Sequence, residues 1–219
     1  MEKRLADLET QVGELSEQVK ARPAAPAAPG APDAAEQAAA DLLRKASEAS
    51  EKGEYDEAKQ HLAKLMGEFG STRAARAGAR LEGDLKVIGT DAPDLQVEKW
   101  YQGEANTDSK AQLLVFWEVW CPHCKREVPK LQATFDKYSP QGLSVIGLTK
   151  QSRDVTDDQV QDFVTSNSIA YPVAREQGQS MSDAYNVKGV PSAAVGKEGK
   201  VVWKGHPARL TDAMIEGWL

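Results

Sequence analysis

Apolar residues along this chain change their spacing twice, and each change marks a different kind of element. Leu5, Leu8, Val12, Leu15 and Val19 step by 3, 4, 3 and 4 with charged and amide residues between them, which is the a/d seam of a coiled coil. A single polar-faced helix of this length is marginal alone, so the seam predicts self-association through residues 1–21, the alternative being a helix that packs back on its own protein or frays. From Asp33 to about Leu85 the pattern becomes that of packed helices. Leu42, Leu43, Ala46 and Ala49 predict one that stops at Gly53, and Tyr55, Ala58, Leu62, Leu65, Met66 and Phe69 predict a second that closes at Gly70, Ser71 and Thr72. Ala74, Ala75, Ala77, Ala79 and Leu81 suggest a third. Beyond Gly89 short apolar runs take over. Residues 112–117 and 143–148 read as strands buried on both faces, with a helical stretch between them that carries Val128, Leu131, Phe135 and Tyr138 on one side. A helix over 157–167, an extended piece over 171–174, a hairpin of 193–195 and 200–203 around Gly196 and Gly199, and a last helix over 211–219 capped at Thr211 or Asp212 complete the pattern. Strand, helix and strand followed by a hairpin and a helix predict an α/β fold, a mixed sheet covered by helices on both faces.

Between the coiled coil and the helices, Pro23, Pro26, Pro29 and Pro32 alternate with alanines. Such a stretch favours extended polyproline II and serves as a semi-rigid spacer. The expected plan is therefore a coiled-coil helix (1–21), a Pro/Ala linker (22–33), an all-α segment (34–86) and an α/β domain (87–219). Within the all-α segment, Gly53-Glu54-Tyr55-Asp56-Glu57-Ala58 with Leu62 and Leu65 resembles the middle of a tetratricopeptide repeat. The resemblance covers little more than one repeat and lacks the usual leading Trp. One repeat cannot bury its own faces, so this segment is expected to dock on a neighbour, assist oligomerisation or offer a groove to a peptide. A plain helical hairpin is the competing reading.

Composition narrows the function. Lys and Arg number 27 against 33 Asp and Glu, a net charge of −6, which gives no electrostatic footprint for nucleic acid or anionic lipid. No apolar run approaches the roughly 20 residues needed to span a bilayer. Met1-Glu2-Lys3-Arg4-Leu5 lacks the apolar stretch of a signal peptide; the alternatives are a cytosolic protein or a chain that follows a leader or anchor. Only two cysteines occur, Cys121 and Cys124. A bridge closing so short a loop removes little chain entropy, so the pair points to chemistry rather than to stapling.

A C-x-x-C that follows a buried strand and opens a helix is a specific constellation. The helix N-terminus offers unpaired N–H groups and the positive end of its dipole to a thiolate at Cys121. Pro122 sits where a missing N–H costs nothing, and Cys124, one turn inside, is placed to resolve a mixed disulfide. His123, between the cysteines, is expected to stabilise the Cys121 thiolate and so make the disulfide more oxidising; an exposed ring without effect is the alternative. Zinc would need more ligands than Cys121, His123 and Cys124, and only His61 and His206 remain, so no metal is expected. A peroxidase would want Thr or Ser three residues before its reactive Cys, where this chain has Glu118.

Phe116-Trp117-Glu118-Val119-Trp120-Cys121-Pro122-His123-Cys124-Lys125-Arg126-Glu127-Val128-Pro129 resembles the F-W-x-x-W-C-x-x-C-x-x-E-x-P signature of the TlpA/ResA-like branch of the thioredoxin superfamily. Val187-Lys188-Gly189-Val190-Pro191-Ser192 is similar to that branch's G-V-P-T/S loop, and Gly205-His206-Pro207-Ala208 after Trp203 to its endings. The resemblance spans about residues 89–219. It implies a thioredoxin-like fold, a redox-active Cys121–Cys124 disulfide with no other cofactor, and a cis Val190–Pro191 bond lying against the cysteines. It further implies that Val190, Pro191 and Trp120 meet the substrate, with Trp120 shielding the disulfide edge and Trp117 in the core. Glu127, three residues after Cys124, is the carboxylate expected to raise the Cys124 pKa and relay its proton, or else to form a surface pair with Lys130. Two departures stand out. Val115 occupies the position of the buried Asp of thioredoxin, and the Pro-His dipeptide is that of DsbA, a disulfide-forming oxidant.

The expected function is thus thiol–disulfide exchange with cysteine-containing protein substrates, as a TlpA-like reductase in the periplasm or anchored to the membrane facing it, re-poised by an upstream redox partner. The dipeptide favours a DsbA-like oxidase or an oligomeric isomerase instead. An adaptor whose helical region recruits partners is a rival from another class, and a copper- or haem-assembly helper a further one, without identifiable ligands beyond the cysteines. The seam over residues 1–21 is tested by light scattering, where an oligomer is the expected outcome and a monomer overturns it.

Overall fold

The computed structural model describes residues 34–106, 108–150 and 152–219; the coiled-coil and linker expectations over 1–33 lie outside the described residues. Three helices come first: α1 (Ala34–Glu51), α2 (Tyr55–Phe69) and α3 (Arg73–Val87). Gly53 turns the chain between α1 and α2 at φ +80°, a left-handed conformation that suits glycine. Ala39, Ala46, Ala49, Ala58, Leu62, Leu65, Ala74, Ala75 and Leu85 are buried together between the helices. Small residues let the helices approach closely. A Cβ on Gly78 would stand 3.0 Å from Leu65 Cδ2 and 3.3 Å from Leu62 Cδ2. Glu36 of α1 accepts from the first N–H groups of α3, Arg73 N at 3.1 Å and Ala74 N at 3.0 Å, placing a carboxylate at the positive end of that helix.

The remainder forms a six-stranded sheet of β1 (Val97–Gln102), β2 (Ala111–Phe116), β3 (Leu143–Thr149), β4 (Val173–Glu176), β5 (Ser192–Lys197) and β6 (Lys200–Gly205), in spatial order β1-β4-β3-β2-β5-β6. β2, β3 and β4 are parallel, and β1, β5 and β6 join antiparallel. Helices α4 (Pro122–Glu127), α5 (Leu131–Tyr138), α6 (Asp157–Ser166), α7 (Ser180–Ala184) and α8 (Asp212–Trp218) flank it. Alternate side chains of each strand face opposite layers. Leu113, Val115, Val145 and Val195 pack with Val128, Leu131, Val160 and Ile215 on one side, while Leu114, Phe116, Ile146 and Ala194 pack with Met181 and Tyr185 on the other. This is the predicted mixed sheet covered on both faces. Among the described residues no helix is long and apolar enough to cross a membrane.

Three features depart from the sequence pattern. The edge strand β1 is largely accessible, and its pairing with β4 carries two register shifts, so no clean alternation marks it. The helical stretch after the cysteines breaks into α4 and α5 at Val128–Lys130, because Pro129 supplies no N–H to continue the ladder. Helix α7 owes its start to buried Glu176, which accepts from Ser182 N at 2.7 Å and from the Ser182 hydroxyl.

The helical segment docks on the β5–β6 end of the sheet. The Tyr55 hydroxyl donates to Val202 O at 3.1 Å, Asn186 Nδ2 donates to Gly83 O at 3.1 Å, and Lys204 Nζ pairs with Asp84. The Lys204 side chain is 1% exposed and that of Asp84 15%, so the ion pair is sealed in the junction. Removing one partner of a buried pair strands the other charge, at a cost of about 3–5 kcal/mol, whereas replacing both by apolar groups costs far less. Asp84→Ala is expected to lose stability of that order in urea unfolding, and Asp84→Leu with Lys204→Met to regain most of it.

Candidate active site

Strand β2 brings the chain to the site. Trp117 N continues the ladder by donating to Leu148 O at 2.9 Å, and Cys121 N then donates to Glu118 O at 3.1 Å, a turn that ends at the N-terminus of α4. Cys121 is the N-cap of that helix and Pro122 its first residue. Both cysteines are unbridged thiols, with Cys121 4% and Cys124 0% exposed. The Cys121 sulfur accepts from Cys124 N at 3.4 Å and lies 3.5 Å from Val190 O, to which its S–H can donate. The Val190–Pro191 peptide is cis. Cys121, Pro122, Cys124, Val190 and Pro191 therefore meet at one place.

His123 and Glu127 are placed otherwise. Arg126 Nη2 donates to the His123 ring at Nδ1, 2.6 Å away, on the exposed side of α4, so this ring nitrogen is engaged by Arg126 rather than by the Cys121 sulfur. The Glu127 carboxylate pairs with Lys130 at 3.0 Å, the surface arrangement weighed from sequence.

A different carboxylate stands at the thiols. Glu118 is 2% exposed. It accepts from Trp120 Nε1 at 2.8 Å and from the Ser152 hydroxyl, which in turn accepts from Trp120 Nε1 at 2.9 Å. The Arg153 guanidinium lies 3.7 Å from the centroid of the Trp120 ring, within cation–π range. Trp120 is thus pinned from both sides, with its ring against the core that contains both cysteines. Burial above all, then the hydrogen bond with Cys121 and the charges of Cys121 and Glu118, push the Cys124 thiol far above its ordinary range, while a hydrogen bond with the Glu118 backbone pulls the other way. Sequence reasoning used Glu118 only to exclude a peroxidase. The signal that could have marked it is a Glu immediately past the apolar run 113–117, where a carboxylate that is buried must be bonded.

No group of three or more His, Cys, Asp or Glu side chains among the described residues is arranged to hold a metal ion. The arrangement offers two thiols of unlike environment, one at a helix cap beside an open carbonyl and one buried behind it.

The AhpC/TSA family matches residues 88–204, more than half of the chain. The chain belongs to this family. Within AhpC/TSA proteins its similarity runs to thiol-disulfide oxidoreductases. It is 28% identical over 112 residues to the thiol-disulfide oxidoreductase ResA of Halalkalibacterium halodurans, covering 51% of this chain and 62% of that protein. It is 31% identical over 137 residues to ResA of Bacillus thuringiensis, covering 60% of this chain and 76% of that one. The sporulation thiol-disulfide oxidoreductase A of Bacillus subtilis is 22% identical over 129 residues. Among solved structures, a thioredoxin-like protein in its oxidised form superposes with a TM-score of 0.52 at 23% identity, over 59% of this chain and 95% of that one. The thioredoxin domain of a thiol-disulfide oxidoreductase from Bacteroides vulgatus gives 0.51 at 19% identity, over 60% and 98%. These establish a thioredoxin-like fold for this AhpC/TSA member.

The charge on Glu118 makes a direct prediction. Glu118→Gln keeps the shape and removes the charge, so the Cys124 thiol should ionise at lower pH, read by iodoacetamide trapping across pH in a Cys121→Ser background. Glu127→Gln should leave that titration where it was. The reverse pattern would return the role to Glu127.

Proposed function

We propose that this protein is a thiol–disulfide oxidoreductase acting as a reductase of protein disulfides, through Cys121 as attacking thiol and Cys124 as resolving thiol. In the forward reaction the Cys121 thiolate attacks one sulfur of a client disulfide. A mixed disulfide forms, and the departing client thiolate takes a proton. Cys124 then gives up its proton, attacks the Cys121 sulfur and expels the second client thiolate. Two electrons and two protons have passed to the client, and a Cys121–Cys124 disulfide remains. An upstream dithiol partner reverses that last change. Glu118, a buried carboxylate whose charge acts on Cys124, is the group suited to accept the Cys124 proton. Val190 and Pro191 form the ledge along which a client segment lies, and Trp120 covers the pair.

The observation that carries the direction is the engagement of His123 with Arg126. A disulfide becomes strongly oxidising when its reduced thiolate is specially stabilised, and the Pro-His dipeptide favours an oxidase only if His123 does so. The contacts of the Cys121 sulfur are instead Val190 O and Cys124 N, and the charged side chain that acts on the buried Cys124 thiol is a carboxylate, Glu118. The similarity to ResA proteins supports the oxidoreductase reading itself. A periplasmic site of action, free or anchored, with cysteine-bearing client proteins, fits a thioredoxin-like reductase whose partner keeps it reduced.

Equilibration against glutathione with thiol trapping tests the direction. A reduction potential near the ~−270 mV of thioredoxin is expected, and one near the ~−120 mV of DsbA would overturn it. His123→Ala should shift the value by less than about 30 mV, equivalent to ~1.4 kcal/mol.

A further inference from the structure

Helix α3 does more than fasten the helical segment to the sheet. Its outward residues form one wall of a cleft of about 540 Å³, whose other wall is the segment after β6. Leu43, Ala77 and Leu81 face Ala208 across it, with Arg80 on one side and Arg209 on the other. Its volume falls in the range of ligand sites, which favour junctions between domains. His206 in its lining follows Gly205, which pairs with Ala193 two residues after Pro191, so the cleft lies at the same end of the sheet as the Val190–Pro191 loop. Arg80 also borders a smaller cavity between α3 and the loop before β5, which Lys188 lines as well. Lys188 lies two residues before Val190, whose carbonyl touches the Cys121 sulfur. Arg209, Arg80 and Lys188 therefore mark a path from the cleft to the thiols.

The charge balance of that path runs against that of the chain. The protein carries a net −6, yet Arg80, Lys188 and Arg209 are exposed and form no ion pair among the described residues. Asp84, the carboxylate that lines the cleft, is already committed to Lys204, and Glu127 to Lys130. An apolar floor with unpaired cations along its rim is complementary to an extended segment that carries carboxylates beside apolar side chains.

We propose that the cleft between α3 and residues 206–209 binds an acidic, partly apolar polypeptide segment flanking the client's cysteine, so that the helical segment selects the client while Cys121 attacks it. This names the substrate class of the redox site and rests on the oxidoreductase reading above. Steering by unpaired charge raises association about tenfold or more and fades with salt.

The test uses the full chain and two kinds of probe. Fluorescence anisotropy follows a labelled, cysteine-free peptide of alternating Glu and Leu, and its counterpart with Lys for Glu. Exchange with uncharged hydroxyethyl disulfide follows the thiols alone. The acidic peptide is expected to bind about tenfold or more tightly than the basic one at low salt, to lose that advantage in high salt, and to lose it in Arg80→Glu with Arg209→Glu. Exchange with hydroxyethyl disulfide should be unchanged in that variant. Equal binding of the two peptides, or an acidic preference that survives the double substitution, overturns the proposal. Failure of the wild-type chain to exchange with hydroxyethyl disulfide overturns the redox reading instead, and the binding result still decides the cleft.

Discussion

Strand β2 is hydrogen-bonded on both edges, parallel to β3 and antiparallel to β5, and packed on both faces. A strand so enclosed can hold no unpaired buried polar side chain, and the apolar run 113–116, with Gln112 left partly exposed, follows from that. The same constraint reaches beyond its end. Trp117 N still bonds to Leu148, so the chain leaves the sheet at a fixed point, and the turn through Glu118 sets Cys121 at the cap of α4. Without the burial of β2 neither thiol would have a defined place relative to Val190 and Pro191, which arrive on the neighbouring strand β5.

The buried end of this strand also explains how a site without thioredoxin's strand carboxylate keeps a negative charge near its inner thiol. Val115 belongs to the apolar core on the cysteine side of the sheet, and a carboxylate there would need partners inside that core. Three residues later the chain has turned far enough for Glu118 to find them in Trp120 and Ser152. The bonds that satisfy Glu118 also orient Trp120, so charge and shield are held by one network. Glu127, despite its favourable spacing from Cys124, is largely covered and spends its carboxylate on the exposed Lys130.

The fold was legible wherever burial imposed a simple period. The apolar runs of β2 and β3, the turn at Gly53 and the cap of the last helix all follow from local rules, and Thr211 accepts from Met214 N at 3.3 Å as an N-cap should. Strand β1 was not legible, because an edge strand with one neighbour and an irregular register has no face that must be apolar throughout. In the site, the cysteines and the Val190–Pro191 loop were visible as local strings. The contacts of His123 and Glu118 were not, since the first depends on which way an exposed ring turns and the second on Ser152, a residue 34 positions away. Spacing along a helix tells which side chains share a face, and does not tell which of them burial will strip of water.

The junction between the helical segment and the sheet carries the same reasoning to the surface. Lys204 on edge strand β6 is buried where α3 docks, and Asp84 of that helix supplies its partner. With Asp84 spent on Lys204 and Glu127 on Lys130, Arg80 and Arg209 form no ion pair among the described residues. An acidic protein has carboxylates elsewhere that could have served, so the imbalance is local to the cleft and the loop beside the thiols. The docking that seals the sheet edge is therefore also what leaves exposed cations along a partly apolar cleft, the feature on which the proposed selection of clients rests.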